Sequence, residues 1–293
     1  MKDFSNWKIY EGAAEGSGRS EKIWLIEPES GQIGLFKFKK DRTTTDHISE
    51  CIAYDLASTL GISCAKFEAG KYNGRQGVLS YNIIRSDEEY LIEGINFINA
   101  EYPEYDEEAF IDKISGDRYS IEMIDKVMSR YTDFSAFLII PVFDYLIGNT
   151  DRHQSNWAIL MDNKKNTFSP LYDNSSSLCA YVSEEQADTY LGRDKNKWRS
   201  LVDTKSKSLI RRTLHDEKRP THLDILKYLK KMYYTETVEL VKEIVSALSE
   251  NIIDGILNKY SEDGLSEKKK IVIKRFLLDK VEMMKQVYES EEV

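Results

Sequence analysis

Cysteine is scarce: Cys51, Cys64 and Cys179 are the only three in 293 residues, and their isolated spacing excludes a paired zinc motif and a disulfide framework. Packing cysteines in a reducing cytoplasm are the expectation, with export by a non-classical route or into a host left open. Histidine is equally sparse, and His47, His215 and His222 have no metal-ligand spacing. No apolar run approaches the roughly 18 residues of a membrane span. The N-terminus, Met1 to Asn6, lacks the apolar core of a secretory leader, because Trp7-Lys8-Ile9-Tyr10 follows it. An excess of basic charge is missing too: the net charge is −9, which disfavours direct nucleic-acid binding over the whole surface. Runs such as Lys205-Ser206-Lys207 and Lys268-Lys269-Lys270 read as solvated faces. No internal repeat, low-complexity tract or Pro/Gly-rich linker divides the chain.

What is present is a change of pattern along the chain. Up to about residue 85, short alternating apolar runs are punctuated by glycine, predicting an antiparallel sheet with one helix. Trp24-Leu25-Ile26 and Gly34 to Phe38 pair as strands across Gly31, and Val78 to Ile84 forms another strand. Ile48, Ile52, Ala53, Leu56 and Leu60 recur at helical spacing, with Gly61 placed to end that helix. From Asp87 to Asp133 the chain is acidic and is read as helical, and Phe134 to Leu146 as a buried core helix closed by Gly148. Beyond His222 helical periodicity continues almost to the end. The fold class expected is α+β and bilobal: a small β-rich lobe, 1–85, and a larger, mainly helical lobe, 86–293. The segment from Asp173 to Lys207 reads either as an activation-type loop or as a mobile connection.

The informative segment is Gly148-Asn149-Thr150-Asp151-Arg152-His153-Gln154-Ser155-Asn156-Trp157, between the apolar helix and a strand, Trp157 to Met161. A turn at Asp162 to Asn166 sends the chain back through Phe168, Pro170 and Tyr172 to Asp173. Going out and back along a hairpin brings Asp151, Asn156 and Asp173 together. Phosphoryl transfer asks for a carboxylate beside the attacking hydroxyl and for hard oxygen ligands to Mg²⁺. Asp151 suits the base and Asn156 and Asp173 the metal, although each alone is also a residue that turns favour. Lys37, between Phe36 and Phe38, either faces solvent or reaches a phosphate, and Glu50 on the predicted helix either is solvated or pairs with it. The stretch from Gly12 to Lys22, with Gly16, Ser17, Gly18 and Ser20, is suited to a phosphate-binding loop. His153 is read as a hydrogen-bond donor that orders the loop. Glu88, Glu89, Glu101, Glu104, Asp106 and Glu107 near the expected cleft either favour basic acceptors or are solvated surface.

Asn149-Thr150-Asp151-Arg152-His153-Gln154-Ser155-Asn156, taken with Ser169-Pro170-Leu171-Tyr172-Asp173, resembles the HipA-like serine/threonine kinases of bacteria, including their shorter stand-alone CtkA-type members. The resemblance covers most of the chain and thins after about residue 210. It implies the bilobal protein-kinase-like fold, ATP and Mg²⁺ as cofactors, and a protein acceptor with Ser or Thr. It makes Asp151 the catalytic aspartate, supported by Lys37 and Glu50, and Asn156 and Asp173 the metal ligands. The nucleotide would meet Gly16, Ser17, Gly18, Ser20, Lys37, His153 and the hinge-strand residues Ser80, Tyr81 and Asn82. The longer toxins carry an additional N-terminal region that this chain lacks, so a DNA-binding antitoxin partner is not expected. Their autophosphorylated loop serine matches Glu15 here, which leaves Ser17 and Ser20 as candidate loop phosphosites. Three other readings use parts of the same residues: a metal-dependent phosphohydrolase, a nucleotide-binding pseudokinase, and a kinase acting on a lipid or small-molecule hydroxyl.

Overall fold

The structure, a computed structural model, describes residues 1–12, 21–41, 43–86, 88–163, 165–262 and 264–290. The chain begins with β1 (Lys2–Asp3), β2 (Lys8–Ile9), β3 (Lys22–Ile26), β4 (Ile33–Phe38), helix α1 (Asp46–Thr59), β5 (Phe67–Tyr72) and β6 (Arg75–Tyr81). These strands form one six-stranded sheet in the order β1-β5-β6-β4-β3-β2. β1 runs parallel to β5, and the other pairs are antiparallel.

Alternation along β4 sorts its side chains to two faces. Phe36 and Phe38 join Phe4, Trp7, Leu25 and Leu79 in an apolar cluster on one face. On the other, Val78 and Phe67 pack with Ala65 and with Cys51 of α1. Because Lys37 lies directly opposite Val78, it shares the α1 face and not the solvent. α1 ends as its glycine predicts: Gly61 has φ +66 and the Ile62 amide returns to the Ala57 carbonyl at 2.8 Å. The strand expected over Val78 to Ile84 stops at Tyr81, where the Asn82 side chain accepts from the Ile84 amide and turns the chain.

The region expected to be helical from Asp87 to Asp133 is only partly so. It contains β7 (Tyr90–Glu93), α2 (Gly94–Glu101), β8 (Tyr105–Asp106), β9 (Ile111–Asp112) and α3 (Ile121–Met128). β7 owes its conformation to a ladder with a strand some seventy residues later, a partner invisible to local periodicity. The apolar stretch that follows is likewise two pieces, a 3-10 turn over Phe134–Leu138 and then α4 (Ile139–Ile147). Asp133 caps the turn by accepting from the Ser135 amide, and Pro141 falls in the first turn of α4, where its missing N–H costs nothing. Gly148 closes α4 in the left-handed conformation, φ +65.

β10 (Ala158–Met161) and β11 (Asn166–Phe168) then form the expected hairpin, with β7 on the outer side of β10. The segment after Asp173 is neither a bare loop nor a plain connection: it folds into α5 (Glu184–Leu191), α6 (Lys195–Arg199) and a π-helical turn, Ser200–Thr204. α7 (His222–Met232), α8 (Tyr234–Ala247), α9 (Glu250–Leu257) and α10 (Glu267–Glu289) complete the larger, helical part. Its main core runs from α1 through α3 and α4 to α7–α10. None of the helices is long and apolar enough to cross a membrane, among the described residues.

Candidate active site

The cleft is assembled where the hairpin returns to the sheet. Leu171 forms a parallel bridge with Cys64, donating to the Ser63 carbonyl at 2.9 Å and accepting from the Ala65 amide at 2.8 Å. This seam fixes the two residues after it. Asp173 takes up φ +54, a left-handed conformation that Asp tolerates better than most residues. Its carboxylate accepts from Lys37 Nζ at 3.2 Å. Lys37 also reaches Glu50 Oε1 at 3.4 Å, while Glu50 Oε2 accepts from the Asn174 amide at 2.8 Å. Lys37, Glu50 and Asp173 thus meet although 136 positions separate the outer two.

The charges are not equivalent. Burial alone would raise the Asp173 carboxyl, but Lys37 beside it, with Arg152 and His153 near, brings it down to about 2. Glu50 is fully buried, and there burial outweighs Lys37 and pushes its carboxyl up to about 7. Lys37 is held above the ordinary lysine range despite burial, by Asp173 first and Glu50 second. Asp173 is therefore the stronger partner of the lysine in this state.

Asp151 lies on the other wall. Its backbone is tied down: the amide donates to Asn149 Oδ1 at 3.2 Å, and the carbonyl accepts from Asn156 Nδ2 at 2.7 Å and from the His153 amide at 2.9 Å. Its carboxylate makes no hydrogen bond or ion pair with any described residue. Burial raises the pKa of that carboxyl, with Asp173 adding to the rise and His153, Lys40 and Arg219 opposing it. His153 does order the loop, but its ring accepts, from the Ser155 amide at 3.2 Å, where a donor was expected.

Beneath both walls lies a residue that sequence reasoning passed over. Arg152 is 1% exposed. It donates to both oxygens of Asp144 on α4, at 2.8 Å from Nη2 and 3.0 Å from Nε. It also holds the carbonyls of Asn156 at 2.8 Å and Tyr172 at 2.7 Å, and Asn174 Oδ1 at 2.6 Å. One planar guanidinium thereby sets the loop of Asp151 and Asn156 against the segment of Asp173. The available signal was Asp144, an acidic residue within an otherwise apolar stretch, because a buried carboxylate needs a cation.

The loop is held from the far side by a second unforeseen relay. His222 Nε2 lies 2.7 Å from the Asn149 carbonyl, so that nitrogen carries the proton, and Nδ1 accepts from Ser206 Oγ at 2.9 Å. Lys280 Nζ donates to Ser206 Oγ at 3.3 Å and lies 4.4 Å from the centre of the Tyr145 ring. Lys280 is fully buried with no ion-pair partner among the described residues, and burial brings its ammonium down to about 7. The unfolded chain binds this proton up to pH 10.5 while the fold releases it above about 7, so the penalty is full below 7 and fades toward 10.5. Lys280→Met is therefore expected to raise the melting temperature clearly at pH 6.5 and little at pH 10, a difference on the order of 3 kcal/mol. Equal shifts at both pH values in thermal melts would show that Lys280 is not neutralised by burial.

The oxygens facing the cleft fit a hard cation. Asn156 spends its Nδ2 on the Asp151 carbonyl, which leaves its Oδ1 uncommitted, and Asp173 Oδ2 has no hydrogen bond among the described residues. No group of three or more His, Cys, Asp or Glu is placed to hold a metal there or elsewhere in the described residues. Mg²⁺ does not require one, because it takes one or two protein oxygens together with phosphates and water. Among the expected nucleotide contacts, Gly16, Ser17, Gly18 and Ser20 lie outside the described residues. Ser80 shares the α1 face with Lys37, and Asn82 follows the end of β6, donating to the Ile33 carbonyl. The Tyr81 ring packs on the opposite face beside Trp7, so only its backbone is turned toward the lobe junction.

Comparison with known proteins shows the family and the fold. The family model of the HipA-like C-terminal domain matches residues 14–247, well beyond the point near 210 where the motifs thin. No curated protein sequence matches the chain. Among solved structures, the Helicobacter pylori proinflammatory kinase CtkA is similar over 99% of both chains, with a TM-score of 0.82 at 17% identity. HipA of Shewanella oneidensis, solved with HipB and operator DNA, is similar over 96% of this chain and 69% of its own, with a TM-score of 0.62 at 13% identity. The chain belongs to the HipA-like kinase family, matched through that family's C-terminal domain, and has its kinase-like fold.

Proposed function

We propose that the protein is an ATP- and Mg²⁺-dependent serine/threonine protein kinase. The observation that carries this reading is the joining of Lys37, Glu50 and Asp173 opposite a loop that presents an unpaired Asp151 carboxylate. Lys37 would hold the nucleotide phosphates, with Glu50 as its anchor once Asp173 turns to the metal. Asn156 and Asp173 would hold Mg²⁺, which supplies neutralisation of the phosphate charge when bound. Asp151 would orient the acceptor hydroxyl and take its proton as the oxygen–phosphorus bond forms and ADP departs.

Lys37 separates this reading from metal-dependent hydrolysis, which uses the carboxylates but has no need of the lysine. Lys37→Ala is expected to lower kcat/KM for ATP about a hundredfold, measured as label transferred from γ-phosphate to a protein acceptor. Phosphate release to water at the wild-type rate in that variant would instead mark a phosphohydrolase.

A further inference from the structure

Beside the Asp151 loop lies a cluster of cations that the reaction described above does not use. Arg211 is 7% exposed, and its Nε and Nη1 are buried with no hydrogen-bond partner among the described residues. Among the described residues it forms no ion pair. Its backbone is locked, donating to the Tyr119 carbonyl at 3.1 Å and accepting from the Ile121 amide at 2.9 Å. Arg118 and Arg219 are close enough to oppose its charge, and the half-buried Arg118 has no side-chain partner among the described residues either. Asp216 is near but already engaged by Arg212, at 2.8 and 3.2 Å. Two further buried polar atoms in this neighbourhood lack partners among the described residues: the Tyr105 hydroxyl, which senses the Arg211 charge, and Oε1 of Gln154, whose Nε2 donates to the Glu107 carbonyl at 3.2 Å. Arg219 connects the cluster to the catalytic loop, because its Nη2 donates to the Thr150 carbonyl at 3.1 Å, one residue before Asp151.

A buried guanidinium without an anion is costly, and folds keep such groups where a ligand completes them. We infer that Arg211, with Arg118 and Arg219, forms a receptor for an anionic group, a carboxylate or a phosphate, carried by the acceptor beside the hydroxyl that is phosphorylated. The inference rests on the kinase reading for its acceptor, but the receptor itself is a property of the fold. Of the acidic residues near the cleft, Glu101 is paired with Arg130 at 2.6 Å and Asp106 with Lys113 at 2.8 Å, which removes these two from acceptor selection.

The test is thermal melting of the full chain with Mg²⁺ and a non-hydrolysable ATP analogue, in inorganic phosphate against chloride at matched ionic strength. Phosphate is expected to raise the wild-type melting temperature by about 2–5 °C and to leave Arg211→Met unmoved, with Arg118→Gln in between. Without phosphate, Arg211→Met is expected to melt above wild type, since the variant removes an unpaired buried charge. Arg211→Met melting below wild type while keeping its phosphate response, or a wild type indifferent to phosphate, would overturn the inference. A response to the analogue alone reads the nucleotide site separately. Serine peptides scanned with a single Asp, phosphoserine or Lys around the hydroxyl then distinguish the anion. One acidic position is expected to lower KM about tenfold in wild type and clearly less in Arg118→Gln, and a peptide preference for Lys would contradict the receptor.

Discussion

Asp151→Asn is expected to lower phosphoryl transfer about a thousandfold while leaving the fold at least as stable as wild type. The two halves of this expectation come from different atoms. The hydrogen bonds that Asp151 itself gives to the loop use its amide and carbonyl, and Asn keeps both. The carboxylate itself makes no hydrogen bond or ion pair with a described residue, and partial desolvation raises its pKa, so a neutral amide of the same size breaks no such bond. Asp173→Ala should abolish transfer as completely, but with a different signature, because Lys37 then loses its nearer partner. Its residual activity should demand far more Mg²⁺, whereas Asp151→Asn should leave the Mg²⁺ requirement unchanged. Rates measured against Mg²⁺ concentration for the two variants check both statements.

Arg152→Met is the substitution expected to cost the most stability, about 3–5 kcal/mol, equivalent to a melting temperature lower by roughly 10 °C. The loss of attraction is the smaller part. Removing the guanidinium leaves Asp144 as an uncompensated charge inside the helical core and releases the carbonyls of Asn156 and Tyr172 and the side chain of Asn174. A double variant with Asp144→Leu should recover a large part of that stability, because the orphan charge is gone, but not activity, because the two walls of the cleft would no longer be held in register. Differential scanning calorimetry of the two single variants and the double variant measures this coupling. Simple additivity would show that Arg152 and Asp144 do not act as a unit.

Several parts of this architecture were legible in the residues. Helical spacing from Ile48 to Leu60, the Gly61 stop and the strand pair around Gly31 rest on interactions within a few residues, where pattern and structure coincide. The convergence of Asp151, Asn156 and Asp173 was legible for a related reason: a short hairpin returns the chain to its start whatever surrounds it. Lys37 shows where pattern alone stops. Alternation correctly places Phe36 and Phe38 in an apolar cluster, yet it cannot reveal that the opposite face is also covered, by α1. β7 was misread as helix because what makes it a strand is β10, far along the chain. Arg152, Arg211 and Lys280 escaped notice since charged residues are exposed by default, and only the assembled core shows that these three are buried. Asp144 was the one local sign that a cation had to follow.

The proposed reaction moves a phosphoryl group from ATP to a Ser or Thr hydroxyl. Its most direct test is to incubate the wild-type chain and a generic protein acceptor with Mg·ATP labelled in the γ-phosphate, with and without EDTA, and to determine by mass spectrometry where the label resides. Label in acid-stable phosphoserine or phosphothreonine, lost with EDTA and absent in Asp151→Asn, is the predicted result; nucleotide bound by the wild type with no label in any hydroxyl would contradict it.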